Sequence, residues 1–161
     1  MSDYIYQYPP LYAGKLVKRY KRFFADVELV SGEVVTAHCP NTGPMTGICT
    51  IGSPVYLSKS DNPDRKLAYT WEMIEAYDNQ PTWVGTNTSL PNRVTNLVLA
   101  AHLIPELGSY TQIRYEVPYG QDKKSRIDFL LPDAEKPIYI EVKSTTWVQG
   151  DLALFPDTVT T

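Results

Sequence analysis

Short apolar runs broken by polar positions dominate the first half of the chain. Residues 14–21 (GKLVKRYK), 23–30 (FFADVELV) and 33–39 (EVVTAHC) read as strands, because β-branched and aromatic residues at period two suit a pleated, half-buried surface. Ser31-Gly32 between the second and third is a hairpin turn. Residues 40–47 (PNTGPMTG) are dense in Pro, Gly, Asn and Thr and read as a loop. Residues 53–60, 67–77 and 82–87 follow as further strands, although apolar positions over 68–77 also permit a helix. Five or six short strands with little helical period predict a small barrel of the OB type.

The texture changes near Asn87. Val94, Leu97, Val98, Ala101 and Leu103 recur at helical spacing, with Ser89 as the cap, Pro91 near the first helical position and Pro105 as the stop. Three strand-like runs follow at 113–119 (IRYEVPY), 126–131 (RIDFLL) and 137–144 (PIYIEVKS). The second half therefore reads as a helix and then strands, an α/β unit. The predicted division is 1–84 for the barrel and 85–161 for the α/β domain.

The chain has 161 residues and is 43% hydrophobic, enough for a packed core in one domain or two small ones. The net charge of -3 does not announce a nucleic-acid binder, so such a reading must rest on local patches. No apolar run approaches the roughly 20 residues of a membrane span, and no membrane association is expected. The N-terminal residues lack a basic region followed by an apolar core, so no signal peptide is read and a cytoplasmic location is expected. Cys39 and Cys49, the only cysteines, are expected as reduced and mostly buried thiols; with His38 they do not complete a zinc site.

Charge inside an apolar strand marks the chemistry. In KPIYIEVKST (136–145), Glu141 and Lys143 sit within an apolar run and, in a strand, share one face. Asp128 points away from Ile127 and Phe129 on the preceding strand, and the PDAEKP turn lets the two strands lie side by side. Asp128 and Glu141 then meet. Two close carboxylates repel unless something positive lies between them. Magnesium, or manganese in its place, suits such a pair, taking one or two carboxylates, backbone oxygens and waters. Lys143 adds a cation that orients a water or stabilises charge on a phosphate. The spacing, Asp, about a dozen residues, then Glu-X-Lys, resembles the PD-(D/E)xK nuclease motif. That motif often takes a further acid from the helix ahead of it. This helix has none, and Glu106 and Glu116 are the nearest alternatives.

Longer blocks carry a more specific resemblance. GKLVKRYKRFFADVEL, AHCPNTGPMTG, VYLSKSDNPDRKLAYTWEMIE, WVGTNTSLPNR, SRIDFLL, IYIEVKSTT and ALFPDTVTT resemble, in order, the sugar fermentation stimulation protein A family. The resemblance implies an N-terminal OB-like domain and a C-terminal PD-(D/E)xK nuclease-like domain, incomplete here relative to the family. It also implies DNA binding with little sequence preference, a nuclease activity and a link to regulation of sugar (maltose) metabolism. On the matching positions it implies Asp128 and Glu141 as metal ligands and Lys143 as the catalytic lysine.

Lys15, Lys18, Arg19, Lys21 and Arg22 form a basic stretch interleaved with Tyr20, Phe23 and Phe24. Phosphate contacts dominate non-specific affinity, so this stretch is the expected nucleic-acid face, for DNA first and RNA second. Phe23 and Phe24 are expected in the core. Arg65, Lys66, Arg93, Lys123, Lys124 and Arg126 extend the positive track in sequence. The 40–47 loop is expected to close the barrel, with contact to nucleic acid as the alternative, and His102 is given no role. Three functions follow: a Mg-dependent nuclease with a DNA-binding barrel, a non-catalytic DNA-binding regulator on a vestigial nuclease fold, or a single-strand binder acting through the barrel alone.

Overall fold

The structure is a computed structural model that describes residues 4–120 and 125–155. The chain packs as two units. Among the described residues, one holds Tyr8–Thr88 and Thr145–Phe155; the other holds Tyr4–Gln7 and Ser89–Ser144.

The first unit is built on a six-stranded sheet. Its strands are β1 (Leu11–Tyr20), β2 (Phe24–Leu29), β3 (Val34–His38), β4 (Pro54–Lys59), β5 (Tyr69–Asp78) and β6 (Gln80–Gly85), in the order β3-β2-β1-β4-β5-β6. The sheet curls until β3 meets β5 in parallel, Ala37 opposite Tyr69 and His38 opposite Thr70. This is the OB arrangement read from the sequence, with closure limited to that short pairing. Alternation builds its core: Ala25, Val27 and Leu29 of β2 point inward, where Leu16, Val55, Leu57, Trp71 and Ile74 are fully buried.

The helix permitted over 68–77 is a strand, and a β-bulge explains the ambiguity. Leu57 opposes Trp71 and Tyr56 opposes Met73, which leaves Glu72 as an extra residue on β5. The bulge turns both Trp71 and Ile74 inward, a spacing of three that imitates helical period. Glu72 is buried yet satisfied: Ser58 Oγ donates to Oε1 at 2.6 Å and Asn87 Nδ2 to Oε2 at 2.8 Å. A hairpin that the sequence reading did not anticipate, β10 (Trp147–Gln149) with β11 (Leu152–Leu154), also belongs to this unit and turns at Gly150, φ 58°.

In the second unit helix α1 (Leu90–Ala100) accompanies a three-stranded antiparallel sheet of β7 (Arg114–Tyr119), β8 (Ser125–Leu131) and β9 (Ile138–Ile140). Pro105 does not end the helix. It ends earlier, where the His102 N–H donates to Leu99 O at 3.0 Å and the Leu103 N–H to Val98 O at 3.1 Å. That is the Schellman pattern, with left-handed His102 (φ 51°) at the position usually taken by glycine. Pro105 instead opens a 3-10 turn, Pro105–Leu107. Leu99, Tyr110, Phe129 and Leu131 form the core, and the Tyr110 hydroxyl donates to Leu99 O at 2.6 Å. Among the described residues no helix is long and apolar enough to cross a membrane.

Asp133 ties the turn after β8 to the entry of β7. Its carboxylate accepts from the Thr111 hydroxyl at 2.5 Å, the Thr111 N–H at 2.9 Å and the Gln112 N–H at 3.2 Å. The Thr111 hydroxyl leads in holding this carboxyl below its ordinary value of 3.8, and the backbone donors add to it. A carboxyl depressed by folding stabilises above its unfolded value and loses that contribution as pH falls through the folded one. Asp133→Asn should therefore lower the urea midpoint at pH 7, with the difference from the unsubstituted protein shrinking below pH 3.8. A difference independent of pH would contradict the assignment.

Candidate functional site

The site grows from the end of a ladder. Phe129 pairs with Ile140 across β8 and β9, so the next position on each strand sets Asp128 toward Glu141. The pairing stops there, and the ladder is shorter than the 137–144 run read from the sequence. The reason is local: the Val142 N–H donates at 2.7 Å to Asp128 Oδ2 rather than to a neighbouring strand. Beyond Ile140 the chain leaves the sheet, and Glu141 and Lys143 project into solvent. Their side chains meet, Lys143 Nζ 2.5 Å from Glu141 Oε1.

Asp128, Glu141 and Lys143 are thus gathered at one place. Glu141 leads in raising the Lys143 ammonium above its ordinary value, and Asp128 and Tyr119 push in the same direction. Lys143 is therefore a fixed cation at neutral pH. It can stabilise negative charge. Asp128 is half-buried and also lines a cavity of about 210 Å³ with Asn92, Asn96, Tyr115, Glu116 and Phe129. Glu116 reaches this cavity through a left-handed backbone, φ 48°, in edge strand β7. Glu106 lies elsewhere, in the 3-10 turn. The donor chemistry fits a hard divalent cation: two carboxylates at one strand end, with Glu141 open to solvent. Among the described residues, no three His, Cys, Asp or Glu side chains gather closely enough to hold a metal by themselves. The sequence reading overlooked Asn92, whose Nδ2 donates to Asp128 Oδ1 at 2.9 Å. Its one signal was an amide in the first turn of a helix that lacks the acid the motif favours.

The basic stretch divides. Lys15, Lys18, Lys21 and Arg22 are exposed, with the Lys18 ammonium 4.8 Å from the Tyr20 ring centroid. Arg19 is turned inward. Its Nη2 donates to Asn41 O at 2.9 Å and Gly43 O at 2.8 Å, clasping the 40–47 loop. That loop buries Met45 in the core, and Cys39 below it is a buried free thiol. Phe23 and Phe24 are not in the core. Phe24 stacks on Tyr20 at 5.4 Å, and Phe23 stands 49% exposed at the tip of the β1–β2 hairpin. Lys21 (φ 48°) and Arg22 (φ 63°) of that tip are both left-handed, and this displaces Phe23 outward. Arg126 is exposed on β8, and Lys123 and Lys124 lie outside the described residues.

Fold and site together define a class: an OB unit with a charged hairpin, followed by a small α/β unit that carries a paired carboxylate and lysine at a strand end. Two family models match accordingly, the SfsA N-terminal OB domain over residues 17–86 and the sugar fermentation stimulation protein RE domain over residues 89–161. A sugar fermentation stimulation protein homolog of Cyanothece sp. is 72% identical over 162 residues, covering all of this chain and 67% of the relative. One from Nostoc sp. is 68% identical over 163 residues, covering all of this chain and 68% of the relative. The chain belongs to the sugar fermentation stimulation protein family and spans about two thirds of the length of these relatives. The structure of Pyrococcus furiosus SfsA in complex with Ca2+ shares the fold, with a TM-score of 0.79 at 24% identity over 97% of this chain and 64% of that one.

Consecutive left-handed positions without Asn or Gly strain a hairpin by roughly 1 kcal/mol each. Replacing the pair by Lys21→Asn with Arg22→Gly should raise unfolding stability by about 1–2 kcal/mol in urea melts. No gain would mean that the tip is unstrained.

Proposed function

We propose that the protein binds DNA with little sequence preference and hydrolyses phosphodiester bonds with Mg2+ or Mn2+, RNA being the second substrate to test. The observation that carries this reading is the meeting of Asp128, Glu141 and the Lys143 ammonium where β8 and β9 part. The Pyrococcus furiosus SfsA structure is a complex with Ca2+, which supports testing a divalent ion here.

Asp128 and Glu141 are the residues that would hold the ion. When bound, the ion supplies Lewis-acid stabilisation of the phosphate's charge. The chain's own residues do the remainder. Asp128, its two oxygens engaged by Asn92 and Val142, presents a carboxylate of set orientation. Lys143 brings a permanent positive charge against the phosphate, where charge develops as the P–O bond breaks. Exposed Lys15, Lys18, Lys21 and Arg22, with Arg126 on the second unit, neutralise phosphates, and Phe23 offers an exposed ring for stacking on a base. Arg19 keeps its place in this reading as the clasp of the hairpin's neighbouring loop.

The lack of a third clustered acid among the described residues favours a second reading, a DNA-binding regulator of sugar metabolism without catalysis. Cleavage of plasmid in Mg2+ against EDTA, with Asp128→Ala alongside, separates the two. A nuclease should lose cleavage in the variant and retain or improve DNA affinity, because a repelling carboxylate has gone. Equal activity of variant and unsubstituted protein would contradict the metal role, and binding with no cutting by either would favour the regulator.

Replacing Lys18, Lys21 and Arg22 together by Ala should weaken binding to all DNA sequences about equally. The dependence of log K on log salt should flatten by about 0.9 for each phosphate that is no longer neutralised. Unchanged affinity and slope would exclude the hairpin from the interface.

A further inference from the structure

Helix α1 supplies no carboxylate to the site, yet it reaches the site. Asn92, in its first turn, donates from Nδ2 to Asp128 Oδ1 at 2.9 Å. The Val142 N–H approaches the other oxygen, Oδ2, at 2.7 Å. Each carboxylate oxygen thus carries one donor and keeps further lone-pair capacity for a cation. A carboxylate gripped at both oxygens loses its rotation, so less ordering remains when an ion binds. The partners that orient a ligating carboxylate commonly change metal affinity ten- to a hundred-fold.

Asn92 is suited to this task in a way an acid would not be. An Asp at the same place would set negative charge against Asp128 and offer no amide donor to it. The amide supplies the donor and leaves the net charge of the site unchanged. One turn later Asn96 makes a separate tie from the same helix to the sheet, accepting from the Tyr115 hydroxyl at 2.9 Å. The two asparagines therefore share a structural duty, fastening α1 to the sheet, but only Asn92 touches Asp128.

We propose that Asn92 is the positioning residue for Asp128: its amide, delivered from the first turn of α1, holds the carboxylate in the orientation that receives a divalent cation. This rests on the reading that Asp128 is a metal ligand, and the experiment separates failure of one from failure of the other. Mn2+ is titrated into the full chain and followed by the loss of the free-ion electron paramagnetic resonance signal. The samples are the unsubstituted protein, Asn92→Leu, Asn96→Leu and Asp128→Ala, each with a thermal melt in the absence of metal. Asn92→Leu should weaken Mn2+ binding ten-fold or more. Asn96→Leu, which breaks the companion tie, should leave affinity within about two-fold. Asn92→Ala repeats the measurement with a smaller side chain should the leucine variant fail to fold. Equal losses of affinity in the Asn92 and Asn96 variants would assign both to fastening the helix and overturn the proposal. Unchanged Mn2+ binding in Asp128→Ala would overturn the metal assignment itself, and the role of Asn92 with it.

Discussion

One hydrogen bond shapes the second unit, that from the Val142 N–H to the Asp128 carboxylate. A backbone donor at a sheet's end must find a partner, and here a side-chain carboxylate takes the place of a strand. Charge-assisted bonds of this kind are short and contribute about 1.5–3 kcal/mol. Its geometric effects matter more. It ends the β8–β9 ladder at Ile140, keeps Val142 packed on the core beside Ile138 and Ile140, and leaves Glu141 and Lys143 on either side of a fixed point. The alternation of the strand persists after its hydrogen bonding stops, so the two charged side chains still face the same way and touch.

The first unit uses buried polar groups differently. Glu72 occupies a bulge and is satisfied by Ser58 and Asn87, while its own carbonyl accepts the Thr86 N–H at 2.9 Å. Arg19 clasps a loop through two carbonyls, and its Nε is buried with no partner among the described residues. An unpaired buried donor costs about 1–3 kcal/mol, which the two carbonyl bonds offset. A run of five cations thus resolves into one structural arginine and four solvent-facing charges. A basic stretch in sequence is a composition; only the faces of the strand and the turn at its end say which members can reach a phosphate.

What the sequence could tell followed the physics of each signal. Asp128 and Glu141 were legible because strand period and a short turn suffice to bring them together. The OB unit was legible because its strands alternate cleanly and its turns carry Gly and Asn. Glu72 blurred β5 because a bulge shifts the phase of alternation and imitates a helix. The helix end was misplaced because His102 adopts a left-handed conformation that favours glycine, and no local residue announces it. Phe23 reads as core by hydrophobicity alone; two preceding left-handed residues put it outside. Asn92 was missed because an amide that orients a ligand looks, in sequence, like any polar residue in the first turn of a helix.

The most direct test of the central claim is a crystal structure with Mn2+ and its anomalous difference map. A peak is expected within coordination distance of both the Asp128 and Glu141 carboxylates, with the Lys143 ammonium drawn away from Glu141 Oε1. A well-ordered site with intact Asp128–Asn92 and Glu141–Lys143 contacts and no peak beside either carboxylate would contradict it.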